Sequence, residues 1–371
     1  MFRSRKPSTA DTSGNADKKK QKDDFSMIED VNKRIQPSYD TNRQVLGKIL
    51  PLDTPFTVIL DTSEACNFKC KYCFRSHHDK RDWGYAASGG LMPWSIFEKA
   101  ADQLLRFPQT VRQVSLSNHG EPLANRDICQ MAKYLREKGF DGRISIHTNA
   151  SLLDEEYAGE VGTCGMSRII VSLQGLTGER YEKICGARID ENDFFENLSV
   201  MYAASRENKH KTEIHIKIAN AALDGSEEQV FYERFEKIAD RVFVEHIVPI
   251  WKNGNADGGE KAVNKYGASF PGQKCCRLIF DTLVVAPNGD VYPCTQLVGT
   301  PCIGNIQEIP LFEIWNNQKR IGLLEKILCL DEPDMCKECY IKQNSVYTKE
   351  DMIDGFREEI LRRLEEKGCV R

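Results

Sequence analysis

Three cysteines, Cys66, Cys70 and Cys73, fall within eight residues of the stretch EACNFKCKYCFR, spaced C-x3-C-x2-C with Tyr72 directly before the last. Each thiolate can hold one iron of a cubane. A 4Fe–4S cluster has four irons, so a three-cysteine loop leaves one iron open to a substrate or cofactor. Zinc is the rival metal, although structural zinc sites usually combine two separated pairs. A second set lies far downstream. Seventeen residues separate Cys276 from Cys294, and CKEC supplies Cys336 and Cys339. Four thiolates can close the shell of one further cluster, or of a zinc ion. Cys275, adjacent to Cys276, leaves the first ligand open. The chain has fourteen cysteines in all. The isolated ones, Cys129, Cys164, Cys329 and Cys369, read as small buried apolar residues.

Those loops need a frame. Six apolar, β-branched runs of strand length stand at 56–60, 113–118, 143–148, 168–173, 213–219 and 241–247. Helix-like segments alternate with them at 93–107, 126–139, 154–162, 191–206 and 226–239, the second ending on Gly139. Alternation of this kind gives an α/β fold with a parallel sheet. Right-handed crossovers would curl six units into a partial (β/α)6 barrel, and a doubly wound open sheet fits the same pattern. In either case the Cys66–Cys73 loop follows the first strand, at the sheet edge where α/β active sites assemble.

Residues 1–27 read as a polar, disordered tail and 28–55 as a lead-in; 56–250 hold the strand–helix units. A Gly- and Asn-rich connection then opens a cysteine-containing segment, 251–345, followed by a C-terminal helix within 346–371. In that helix Ile353, Phe356, Ile360 and Leu364 form one packing stripe. The net charge of -4 gives no argument for nucleic acid. No window approaches about eighteen apolar residues, and the N-terminus lacks the apolar region of a secretory signal. The expectation is a cytoplasmic protein, with no membrane partner.

C-x3-C-x-aromatic-C resembles the signature of radical S-adenosylmethionine (SAM) enzymes. NHGEPL (118–123) after the second strand, HTNA (147–150) and VSLQG (171–175) extend the likeness. The resemblance implies that Cys66, Cys70 and Cys73 hold a 4Fe–4S cluster whose fourth iron binds SAM. It implies that Tyr72 sits against the adenine and that Gly120, Glu121 and Pro122 meet the SAM ammonium. Ser172, with Asn149 or Gln174, would face the ribose or carboxylate, and Lys217 would offset the carboxylate. Cys276, Cys294, Cys336 and Cys339 are similar to the ligands of a SPASM/twitch extension, a small C-terminal Fe–S domain. YIKQNSVYTKED after CKEC has no cysteine, so the segment looks like the shorter kind with a single auxiliary 4Fe–4S cluster, as in the aminocyclitol dehydrogenase type.

The implied activity is reductive cleavage of SAM to a 5'-deoxyadenosyl radical, with a flavodoxin- or ferredoxin-type protein as reductant. Oxidation or epimerisation of a sugar, aminocyclitol or similar polyol is favoured over peptide modification, because residues 1–55 are too short and polar for a leader-binding domain. A non-catalytic zinc or redox protein is the third reading. His119 and His246 are the candidate bases, with His147 also at a strand end; Cys185 and Cys275 are candidate hydrogen-atom donors.

Overall fold

The computed structural model describes residues 43–77, 90–207, 211–248, 265, 273–296, 300–337, 339–344 and 349–367. The expected tail, the start of the lead-in, Cys369 and nearly all of the Gly-rich connection lie outside the described residues.

All six expected strands form: β1 (Thr57–Leu60), β2 (Gln113–Ser115), β3 (Arg143–Thr148), β4 (Arg168–Leu173), β5 (Glu213–Ala219) and β6 (Arg241–Glu245). Each pairs in parallel with the next. The order runs β6-β5-β4-β3-β2-β1 without reversal, so there is no switch point and the doubly wound alternative falls. Helices α1 (Trp94–Leu104), α2 (Ile128–Glu137), α3 (Glu155–Thr163), α4 (Gly178–Cys185), α5 (Glu191–Glu207) and α6 (Glu227–Phe235) make the crossovers. Gly139 stops α2 with φ +85°, a conformation open to glycine at little cost. Helix α4 was not foreseen. Its signals are an N-cap at Thr177, whose hydroxyl accepts from Arg180 N, and a left-handed Gly186 at its end.

Period-2 alternation sorts the strand residues. Val58, Leu60, Val114, Ile144, Ile146, Ile169, Val171, Ile214, Ile216 and Val242 are buried in one core with the crossover helices. Each buried aliphatic side chain contributes about 1.5–3 kcal/mol relative to exposure. The residues between them include His147, Ser172 and Lys217, which line the cavity on the sheet's other face.

The cysteine-containing segment is not detached from this sheet. Its β7 (Thr282–Val285) pairs in parallel with β1, and β8 (Asp290–Tyr292) and β9 (Gly304–Asn305) continue as antiparallel strands. Helices α7 (Gln318–Leu328) and α8 (Arg357–Glu366) close a second apolar cluster with Leu46 and Leu50 of the lead-in. Ile353, Ile360 and Leu364 are buried there as the stripe requires. Arg363 of α8 donates to the carbonyls of Gly47 (2.7 Å) and Lys48 (2.8 Å), tying the C-terminal helix to the lead-in.

Candidate active site

The Cys66–Cys73 loop leaves β1 and is pinned to the end of α4. Lys69 N donates to Cys185 O (2.9 Å) and Lys71 N to Ile184 O (3.0 Å), one on each side of Cys70. Cys73 N turns back to Cys70 O (3.0 Å), and Ser76 Oγ donates to the same carbonyl (2.8 Å). The three thiols line one cavity of about 480 Å³ at the carboxyl ends of the strands. Burial pushes the Cys66 and Cys73 thiols up, and contact with the Cys185 thiol, then burial, does so for Cys70. Ligation would reverse that preference, because a metal favours the thiolate. Among the described residues no group of three or more His, Cys, Asp or Glu closes round a single metal ion. Three thiols bordering one sizeable cavity suit a polynuclear cluster better than a tetrahedral zinc ion, whose sulfurs would crowd to about 3.8 Å apart.

The edge opposite the cysteines is the stretch Gly120–Pro122. A Cβ on Gly120 would stand 2.2 Å from Ser63 O and 2.5 Å from Ala65 O, so only glycine lets the two loops meet. Glu121 N donates to Ala65 O (2.7 Å) across this contact. The Glu121 carboxylate is buried and accepts from Leu123 N (3.0 Å), Asn149 N (2.6 Å) and the Thr148 hydroxyl. Desolvation outweighs those bonds and raises its pKa to about 7. The carboxylate expected to meet a cation thus fastens the end of β3 to the Gly120 loop. Asn149 Nδ2 donates to Asn67 Oδ1 (2.9 Å) within the cysteine loop. The Tyr72 hydroxyl donates to Gln174 Oε1, whose amide Nε2 donates to Ser172 O (3.1 Å). All the expected cofactor-facing residues except Pro122 line the cavity: Tyr72, Gly120, Glu121, Asn149, Ser172, Gln174 and Lys217.

Inside the barrel, Lys217 Nζ pairs with Glu245 (2.7 Å), and Lys265 approaches the same carboxylate (3.3 Å). Burial pushes Glu245 up, but the two lysines together overcome it and hold the carboxyl at about 2. Glu245 was not singled out in the sequence. Its pairing follows from strand register, which puts Glu245 opposite Ala219, two positions along from Lys217, and which no sequence pattern carries. His147 opens on the cavity from β3, the one exposed position of that strand. Its pKa falls to about 3, first from desolvation and then from Lys217 and Lys265.

The expected bases and hydrogen donors fare differently. His119 lines the cavity, but its Nδ1 faces Asp61 Oδ2 (2.7 Å) and its Nε2 the Thr295 carbonyl (3.1 Å). Both nitrogens are thus already engaged by the protein's own groups. His246 sits beside Asn220 (3.4 Å); the next two residues, Ile247 and Val248, line the cavity, and His246 itself does not. Cys185 is buried behind the cysteine loop with Phe68 and Tyr181, and its Sγ donates to Tyr181 O (3.0 Å). Cys275 is fully buried and donates to Ile327 O (3.2 Å). Neither thiol lines the cavity, because apolar packing turns each away from it. Cys129 and Cys164 are buried as expected, whereas Cys329 is exposed.

The second cysteine set converges. Cys276, Cys294, Cys336 and Cys339 line one small cavity together with Leu278, Ile279 and Ile327. Cys276, not Cys275, is the member that faces it. Burial raises Cys294 to about 12 and Cys339 to about 11, with neighbouring thiols of the set adding to the rise. Four thiols converging on one desolvated pocket stay protonated on their own, and a metal cluster would take them as thiolates. The donor set fits the expected auxiliary cluster.

Residues 60–216 match the model of the radical SAM superfamily. With the open three-cysteine loop at the mouth of a parallel partial barrel, the chain is a radical SAM enzyme. Residues 275–340 match SPASM, an iron–sulfur cluster-binding domain, so it carries an auxiliary cluster beside the SAM-binding one. The chain is 22% identical over 304 residues to the tungsten-containing aldehyde ferredoxin oxidoreductase cofactor-modifying protein of Pyrococcus furiosus, covering 70% of this chain and 80% of that one. It is 23% identical over 328 residues to the PqqA peptide cyclase of Gluconobacter oxydans, covering 78% and 84%. The crystal structure of BtrN with AdoMet and 2-DOIA shares the fold, with a TM-score of 0.51 and 18% identity over 80% of this chain and 96% of that one. Among the described residues no helix is long and apolar enough to cross a membrane.

Proposed function

We propose that this chain is a radical SAM oxidoreductase that dehydrogenates a small polyol such as a sugar or aminocyclitol. The observation that carries this reading is the four-thiol cavity of Cys276, Cys294, Cys336 and Cys339. Four cysteines leave no iron open to a substrate, so the site is suited to taking an electron. When bound, SAM and its cluster supply a radical that takes the hydrogen atom from the carbinol carbon. Oxidation to the ketone then requires one proton and one electron to leave. We place the hydroxyl proton on His147, which lines the cavity and is neutral at pH 7. The electron goes to the four-thiol site. Lys217 and Glu245 offer hydrogen bonds to a polar ligand in the barrel. A flavodoxin- or ferredoxin-type protein fits as the reductant that starts each turnover.

The test is anaerobic turnover with a polyol deuterated at the carbinol carbon. Deuterium should appear in 5'-deoxyadenosine, together with a ketone. Cys294→Ala and Cys339→Ala should spare uncoupled SAM cleavage and stop product formation; ketone at wild-type yield from either variant refutes the electron-acceptor role. Inverted stereochemistry without oxidation would instead mark an epimerase. Similarity to the PqqA peptide cyclase carries the second reading, a peptide substrate. Deuterium transfer from a labelled peptide, with none from polyols, would decide for it.

A further inference from the structure

The two cluster-bearing loops meet at one side chain. Phe74, next to Cys73, presents its ring edge-on to the His119 ring, with centroids 5.4 Å apart and planes at 80°. On its far side His119 Nε2 lies 3.1 Å from the carbonyl of Thr295, next to Cys294. Its Nδ1 is held 2.7 Å from Asp61 Oδ2, with Asn118 Nδ2 also at 2.7 Å. Asp61 is fully buried at the end of β1, and its backbone N–H donates to Val285 O (2.9 Å) at the end of β7. The ring therefore sits where the barrel sheet and the auxiliary segment are stitched together. Between Cys73 and Cys294 stand one ring contact, one hydrogen bond and single steps along the chain.

We infer that His119 is a positioning residue that locks the Cys73 and Cys294 loops at a fixed separation, setting the interaction between the two clusters. The inference rests on the reading that the auxiliary cluster exchanges electrons with the barrel site. It adds a role for a histidine whose two nitrogens are both engaged by the protein. Asp61 fixes the ring's rotation, so Nε2 has one direction in which to donate. Phe74 then excludes water from one side of the junction.

Two variants separate the ring contact from the hydrogen bond. His119→Phe keeps a ring against Phe74 and loses both polar contacts. His119→Gln loses the ring and keeps a donor within reach of Thr295 O. The readouts are iron per chain and the electron paramagnetic resonance spectrum of the dithionite-reduced, substrate-free protein. Wild type and His119→Gln should show broadening from spin–spin interaction between two clusters. His119→Phe should lose that broadening at full iron content, or lose the auxiliary iron alone. Unchanged broadening in His119→Phe overturns the inference. Should His119→Phe fail to fold, loss of broadening in fully loaded His119→Gln overturns it equally. No substrate enters the measurement, so a chain that proved to act on peptides would leave this test intact.

Discussion

Replacing Gly120 by alanine tests whether the cavity depends on a contact between two backbones. The new Cβ would lie 2.2 Å from Ser63 O, 2.5 Å from Ala65 O and 2.8 Å from the Glu64 carbonyl carbon. Ordinary contact begins near about 3.5 Å, so one loop must retreat by roughly 1 Å. The obstructing atoms are backbone, and no rotamer change relieves them. Overpacking of this kind costs about 1–3 kcal/mol. The retreat also strains the 2.7 Å bond from Glu121 N to Ala65 O, a loss of about 1 kcal/mol. Reduced freedom of the unfolded chain returns about 0.4–1 kcal/mol, leaving a net destabilisation of about 1–3.5 kcal/mol. With about 2.1 cal/mol/K of unfolding entropy per residue, a chain of 371 residues loses about 1.3 °C per kcal/mol, so the apoprotein's Tm should fall by about 1.5–4.5 °C in scanning calorimetry. The moved loop carries Cys66, so iron uptake and SAM cleavage should fall with it. A Tm within about 1 °C of wild type, with full iron and unchanged cleavage, would refute the reasoning.

Cys66→Ala, Cys70→Ala and Cys73→Ala should each abolish SAM cleavage, with iron falling from about eight to about four per chain in colorimetric assay. Cleavage surviving in any one would remove that residue from the ligand set. Glu121 makes apoprotein stability depend on pH. Its carboxyl, raised by burial from 4.5 to about 7, favours the folded state when protonated. The contribution, about 3 kcal/mol, is therefore fully present below pH 4.5 and lost as pH rises to about 7. Glu121→Gln should flatten that decline in urea titrations across the same window; an unchanged slope would show that the group is not the source.

The frame of the site was legible because it rests on local signals. The strands announce themselves as short β-branched runs, and the Cys66 loop by its spacing and its place after the first of them. What decided between barrel and open sheet was strand order, which no periodicity carries. Helix α4 escaped because it is short, and its N-cap Thr177 and terminal Gly186 sit in a stretch that reads as a loop. Its consequence for the site is large, since α4 pins the backbone on both sides of Cys70. The same limit explains the histidines. A sequence shows that His119 stands near a strand end; it does not show that Asp61 and Thr295, 58 and 176 positions away, take both its nitrogens.

Choosing between Cys275 and Cys276 shows how a distant segment can decide which of two neighbouring thiols faces a cavity. Neighbouring side chains on a chain held in one orientation cannot both face the same cavity, so whatever fixes the backbone there makes the choice. Asp354, just before α8, accepts from Lys274 N (2.9 Å) and Cys275 N (2.8 Å). That bidentate grip sets the Cys275 thiol toward Ile327 O and the apolar cluster of α7 and α8, and Cys276 falls to the side of Cys294 and Cys336. The C-terminal segment therefore does more than cover a core. By holding the backbone ahead of Cys276, it turns that thiol into the cavity lined also by Cys294, Cys336 and Cys339.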